Sequence, residues 1–131
     1  MLPLLMAFQN SFHGGNDMDI RECKCLGEVI CSLTILDKDY IFVRHELAPG
    51  QKVGLHYHKN ADEWVVVKEG KFVVRSGRKE MTFDLQYGDN KILVIRFPKR
   101  RNHSFRAESI VSYFVFRSCQ DEIIYLEKED E

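Results

Sequence analysis

His56 and His58 stand one residue apart, and Glu63 follows shortly after them. On a β-strand, residues i and i+2 project from the same face, so both imidazoles point together while Tyr57 points away. The polar segment Lys59-Asn60-Ala61-Asp62 separates this pair from Glu63. If that segment closes a hairpin symmetrically, position 58 faces 63 and position 56 faces 65, with the Glu63 carboxylate about 5 Å from the His58 ring at Cβ. Two neutral imidazoles and a carboxylate on one face suit a divalent metal ion. His103 offers a further nitrogen, because His103 and Phe105 alternate with Ser104 and Arg106 in a short β-like run. Four ligands (His56, His58, Glu63 and His103) leave one or two positions of a five- or six-coordinate ion open, the mark of a catalytic rather than a structural centre. Mixed nitrogen–oxygen ligation accepts Fe, Mn, Ni or Zn, with iron or manganese favoured.

Other residues near this centre have two readings each. In Tyr40–Leu47 one face carries Ile41, Val43, His45 and Leu47, which places His45 on an apolar side, either as a core histidine or as a group beside a substrate. Glu63 and His45 are the catalytic bases that can be placed near the metal. Lys99-Arg100-Arg101 is a compact positive cluster just before His103. It is read either as a solvated loop or as an anion clamp in which Arg100 and Arg101 meet substrate oxygens. Trp64 alternates with Glu63, so it faces away from the metal and packs between sheets or against a second copy.

Elements that could hold these residues are legible from Val29 onward. Val29–Leu36 and Tyr40–Leu47 are followed by a run ending in Leu55-His56-Tyr57-His58. Glu63–Lys68, Lys71–Ser76, Glu80–Leu85, Lys91–Phe97, His103–Ala107 and Ile110–Arg117 complete the set. Asp37-Lys38-Asp39, Glu69-Gly70, Ser76-Gly77-Arg78 and Tyr87-Gly88-Asp89-Asn90 read as turns, and Pro98 stops the strand before it. Short β runs with a turn every ~8–12 residues, and no long 3.6-residue period, indicate an all-β barrel or sandwich. Residues 1–28 read as an arm that adds an edge strand, 29–119 as the barrel, and 120–131 as a tail.

The chain has 131 residues with 44% hydrophobic and 30% charged content, which fits one domain with an ordinary core. Nineteen basic and twenty acidic residues give a net charge of -1, which argues against nucleic acid or an anionic membrane as the general partner. No apolar stretch approaches the ~20 residues of a spanning helix. The apolar opening Leu2–Phe8 has no basic residue before it and is a poor signal peptide. Cys23, Cys25, Cys31 and Cys119 are unevenly spaced and read as free thiols in a reducing compartment, so a cytoplasmic location is expected.

The spacing Gly50-x5-His56-x-His58-x4-Glu63-x6-Gly70 resembles the first conserved motif of the cupin superfamily. A second motif is matched in part, with Gly88-Asp89 opening it and Pro98 followed five residues later by His103. Gly88 lies ten positions before Pro98, a longer spacing than the family's usual one, and Arg100 stands where the family commonly has glycine. The resemblance covers Tyr40 to Arg117. It implies a double-stranded β-helix, or jelly roll, with His56, His58, Glu63 and His103 binding a divalent transition metal inside the barrel. Leu55-His56-Tyr57-His58 and Glu63-Trp64-Val65-Val66 look similar to the metal-binding segment of cupin-type sugar-phosphate isomerases.

Two functions follow as expectations. One is a metal-dependent enzyme acting on a small polar molecule, by sugar-like isomerisation or epimerisation or by Fe(II) dioxygenase chemistry. The other is a non-catalytic cupin that senses or binds a small ligand through the metal. A homodimer is expected, since small cupins commonly pair and the apolar arm and Trp64 offer material for a shared sheet.

Overall fold

A computed structural model describes residues 18–23, 41–86, 91–117 and 121–127. The arm at 2–8, the strand at 29–36, the turn at 37–39 and the turn at 87–90 lie outside the described residues. Among the described residues every element is a strand. In chain order they are β1 (Asp19–Cys23), β2 (Ile41–Leu47), β3 (Lys52–His58), β4 (Glu63–Ser76) and β5 (Lys79–Leu85). They continue as β6 (Ile92–Phe97), β7 (His103–Ala107), β8 (Val111–Arg117) and β9 (Ile123–Tyr125).

All pairings are antiparallel. One sheet runs β1-β6-β4-β8-β2 and the other β5-β4-β7-β3-β9. β4 belongs to both. Its first half lies between β6 and β8, and its second half between β5 and β7. The fold is therefore all-β, as expected from the short runs, and takes the jelly-roll form that the resemblance implies.

The turn expected at Glu69-Gly70 is instead a kink within this 14-residue strand. The register against β8 slips between Val67 and Glu69, and Gly70 adopts φ 121°. A Cβ at Gly70 would lie 2.7 Å from Val111 Cγ2 and 2.9 Å from the Ile110 carbonyl oxygen. Glycine permits both the positive φ and the close approach, so the strand bends from one sheet into the other without ending. Ser76-Gly77-Arg78 is a true hairpin turn, with Ser76 paired to Lys79 and Gly77 at φ 59°.

Alternation along the strands sends Val65, Val67, Phe72, Val74, Leu93, Ile95, Phe97, Phe105 and Val115 into one core between the sheets. Trp64 and Val66 point to the other side of β4 and are also buried within the chain. Trp64 is thus already covered by its own chain, which removes it as exposed material for a contact between copies. Arg96 is buried too, with its guanidinium 3.2 Å from Asp19 and 3.4 Å from Asp62. Asp62 also accepts the Lys99 amide at 2.9 Å, which ties the segment leading into Glu63 to the end of β6. The tail carries β9, whose Ile123, Ile124 and Tyr125 pair with His58, Tyr57 and His56. Its solvent-facing apolar character is explained by this position at a sheet edge.

Candidate metal centre

The site is assembled across the two sheets. His56 and His58 project inward from β3, and His103 projects from β7 directly opposite His56. Glu63 opens β4 in the facing sheet, where its neighbours in register are Phe97 and Arg117. The symmetric hairpin expected through 59–62 does not form. β3 pairs with β7 and β9, so position 58 faces 123 rather than 63, and position 56 faces 103 and 125 rather than 65. The physical reason is that 59–62 crosses from one sheet to the other, held by Asp62 at one end and by Asp121 at the other. Glu63 reaches His58 across the barrel interior, not along a ladder.

One ligand atom from each of His56, His58, Glu63 and His103 lies within 4.8 Å of the others, and all four residues are buried. An ion with bonds of ~2.0–2.2 Å holds opposite ligands roughly 4.2 Å apart, so only a few tenths of an ångström of contraction would complete a coordination sphere. His58 Nε2 is 2.8 Å from Glu63 Oε2, and His103 Nε2 is 3.3 Å from Glu63 Oε1.

The outer hydrogen bonds fix which nitrogen faces inward. His56 Nδ1 donates to the Gly54 carbonyl at 2.7 Å, His58 Nδ1 to Asp121 Oδ2 at 2.7 Å, and His103 Nδ1 to the Arg101 carbonyl at 3.1 Å. Each of these partners only accepts, so each Nδ1 carries the proton and each Nε2 presents a lone pair to the centre. The Gly54 carbonyl is free to do this because β3 carries an extra residue against β7 between Val53 and His56. Phe97 stacks on His103, with ring centroids 3.9 Å apart and planes 6° from parallel.

Although His58 Nε2 is close to Glu63, the approach is not that of a hydrogen bond, and this buried nitrogen is left without one. A buried, unsatisfied lone pair costs on the order of 1–3 kcal/mol. A cation between the two groups would satisfy both, so the residues present fit a divalent metal ion. Charge states agree with this. Burial, and then the charge of His103, hold His56 down to about 4, so it is neutral at neutral pH. Burial opposes charge on Glu63, but the His103 and His58 rings beside it prevail and keep its carboxyl well below the usual range. For His58, burial likewise opposes protonation, yet Glu63 and then Asp121 raise the ring above its ordinary value.

A cavity of about 160 Å³ opens beside this cluster and is walled in part by His56, Glu63 and His103. His45 also lines it, as an exposed residue stacked on Tyr113 with centroids 5.4 Å apart. The apolar face expected for His45 is therefore the cavity rim. Arg100 and Arg101 are not part of the wall. Arg100 takes a left-handed φ of 66° and donates its amide to the His58 carbonyl at 2.6 Å. The Arg101 guanidinium lies over the Gly77 hairpin turn, where a Cβ would meet its Nη2 at 2.7 Å. The substrate role expected of these two side chains thus loses its geometric basis.

Two residues of the site escaped the sequence reading. Arg117 lines the cavity and brings Nε to 3.5 Å from Glu63 Oε2. Its parity with Tyr113 and Val115 in a single run was a usable signal. Asp121, the His58 partner, had none, since it lies in a segment that reads as tail.

Comparison with known proteins agrees with this architecture. A family model described as "Cupin domain" matches residues 43–116. Among curated proteins none matches. Similar solved structures include the capsular polysaccharide assembling protein CapF from Staphylococcus aureus, at TM-score 0.54 and 18% identity, covering 66% of this chain and 26% of that one. A conserved protein with a double-stranded β-helix domain from Klebsiella pneumoniae aligns at TM-score 0.57 and 17% identity, covering 70% of this chain and 74% of that one. A sugar phosphate isomerase of the cupin superfamily from Silicibacter pomeroyi aligns at TM-score 0.54 and 24% identity, covering 68% and 57%. The chain spans about a quarter of CapF and more than half of the isomerase. At these identities the structures speak for the fold alone. With the family model matching more than half of its length, the chain belongs to the cupin domain family.

Proposed function

We propose that this cupin is a metal-dependent enzyme acting on a small polar molecule held in the cavity beside His56, His58, Glu63 and His103. The observation that supports it most is the shared orientation of the three imidazoles, each with Nδ1 occupied and Nε2 turned toward a carboxylate on the cavity wall. A divalent ion bound there supplies positive charge and open coordination positions for ligand oxygens. The chain's own residues do the rest. Glu63 is kept ionised and anchored by two histidines and Arg117, so it serves as a ligand and a fixed negative charge. His45, at the rim and in contact with solvent, is placed to exchange a proton between bulk water and a bound molecule. Phe97, Phe105, Val65 and Val115 exclude water from the inner end.

Two reaction classes fit: isomerisation or epimerisation of a sugar-like molecule, the kind of activity for which the Silicibacter pomeroyi neighbour is named, and Fe(II) dioxygenase chemistry. The second reading is a non-catalytic ligand-binding or sensor cupin, favoured by the exposure of His45, since no buried base other than His56, Glu63 and His103 lines the cavity among the described residues. We also propose a homodimer, and a reducing, cytoplasmic compartment; the four unevenly spaced cysteines support the latter.

Metal analysis of the purified protein, followed by a substrate screen with the metal retained, tests the proposal. About one equivalent of Fe, Mn, Ni or Zn per chain is expected, lost in His56→Ala with the fold intact. Oxygen uptake with thiols, flavonols or diketones would select the dioxygenase branch, and turnover of sugars without uptake the isomerase branch. A ligand that raises the melting temperature and is never consumed would select the sensor.

A further inference from the structure

We propose that the cavity takes a small carboxylate, its carboxylate group held by the Arg117 guanidinium, with the Lys52 ammonium adding to the positive field of the wall. The inference rests on reading this cavity as the ligand site.

The charges on the wall point this way. Among the described residues Glu63 is the single acidic side chain lining the cavity, against the two cations Lys52 and Arg117. Glu63 is engaged by His58 and His103, and its charge would be spent on an ion held among them rather than on a ligand farther along the wall. A divalent ion at the histidines would add to the positive excess. A wall of this sign favours an anion.

Arg117 has the geometry for a carboxylate. It ends β8 on the same inward face as Tyr113 and Val115, one strand over from Glu63. Only its Nε approaches Glu63, at a long 3.5 Å, and among the described residues its terminal nitrogens have no partner. Its side chain is 20% exposed, so the guanidinium fork sits at the boundary of the cavity, largely removed from water. A planar fork in that setting matches two carboxylate oxygens. Lys52 contacts Glu127 at 3.9 Å, with both side chains well exposed. Such a pair is weak, so Glu127 does little to cancel the charge that Lys52 adds at the cavity. Much of the remaining wall is apolar, formed by Val53, Val65, Phe97, Phe105 and Val115. Its volume of about 160 Å³ is that of a cavity able to hold benzene, which limits the enclosed ligand to roughly this size. A short apolar body with one carboxylate meets both halves of the wall.

Calorimetric titration with pyruvate, its neutral amide and inorganic phosphate, on metal-free and Mn(II)-loaded protein, tests the inference. Pyruvate should bind at least tenfold more tightly than the amide in both forms. Arg117→Gln should remove that preference, Arg117→Lys should keep part of it, and Lys52→Gln should weaken pyruvate severalfold. Equal binding of pyruvate and amide by the wild type, or tighter binding of phosphate than of pyruvate, would overturn it. If Arg117→Gln fails to fold, the wild-type preference and Lys52→Gln decide. Metal uptake is measured separately. Failure of uptake counts against the metal centre, whereas uptake without carboxylate preference counts against this inference alone.

Discussion

Backbone carbonyls hold His56 and His103, whereas a carboxylate holds His58, and substitutions should separate them. Asp121 accepts the His58 proton and two backbone amides, from Asn60 and Ala61. Asp121→Asn keeps the shape but weakens the hold on the ring, so metal affinity should fall about 10–100-fold by competition with a chelating dye. Arg100 sits at φ 66°, a conformation that costs a non-glycine residue about 1 kcal/mol. Arg100→Gly should therefore raise stability by roughly 0.5–1 kcal/mol in urea unfolding, and a loss of stability would mean the side chain has a structural role. The metal-free protein should be most stable near pH 6.5, the ordinary value from which His56 falls to about 4. Between those values the unfolded chain binds a proton the folded one refuses, so stability drops as pH drops, by up to ~1.4 kcal/mol per pH unit. His58 has the opposite sign. Its raised value adds stability that is complete below the unfolded value and is lost as pH climbs through the folded one. Glu63 contributes stability present above its ordinary 4.5 and lost only at lower pH. Urea titrations of chelator-treated protein across pH 5–8.5 should show this maximum, and added metal should flatten its alkaline side by replacing the His58 proton.

At the scale of elements, β4 is the decisive strand because its kink joins the two sheets. Gly70→Ala would meet both an unfavourable φ and backbone atoms of β8 closer than contact distance, and should cost about 2–4 kcal/mol in thermal or urea unfolding. This kink also marks where sequence reading failed. Glu69-Gly70 has the composition of a turn, and nothing local tells a turn from a bulge, since the difference lies in whether Val111 packs against the glycine. The alternation of His56 with His58 and of His103 with Phe105 was readable, because period 2 is a local property of strands. The partner of β3 was not. Residues 59–62 look like a hairpin closure, and only the competing pairings with β7 and β9 decide that they cross the barrel. Arg100 and Arg101 attracted an anion-binding reading by charge alone, whereas the arginine in the cavity wall is Arg117.

Across the whole molecule, the centre depends on both sheets and on β9 as well. Three ligands come from one sheet and Glu63 from the other, so a bound ion would act as a clasp between them. A metal at 100 times its dissociation constant should stabilise the fold by about 2.7 kcal/mol, visible as a chelator-reversible rise in melting temperature. His56→Ala should abolish that rise while leaving the metal-free melting point within a few degrees. The chain's single tryptophan gives this coupling an optical handle. Trp64 follows Glu63 directly and lies buried on the reverse of the same strand, about 3.8 Å away at Cα. Its emission should dim when a paramagnetic ion such as Mn(II) loads and stay bright with diamagnetic Zn(II), so fluorescence in an intact sample would report which kind of ion the barrel carries.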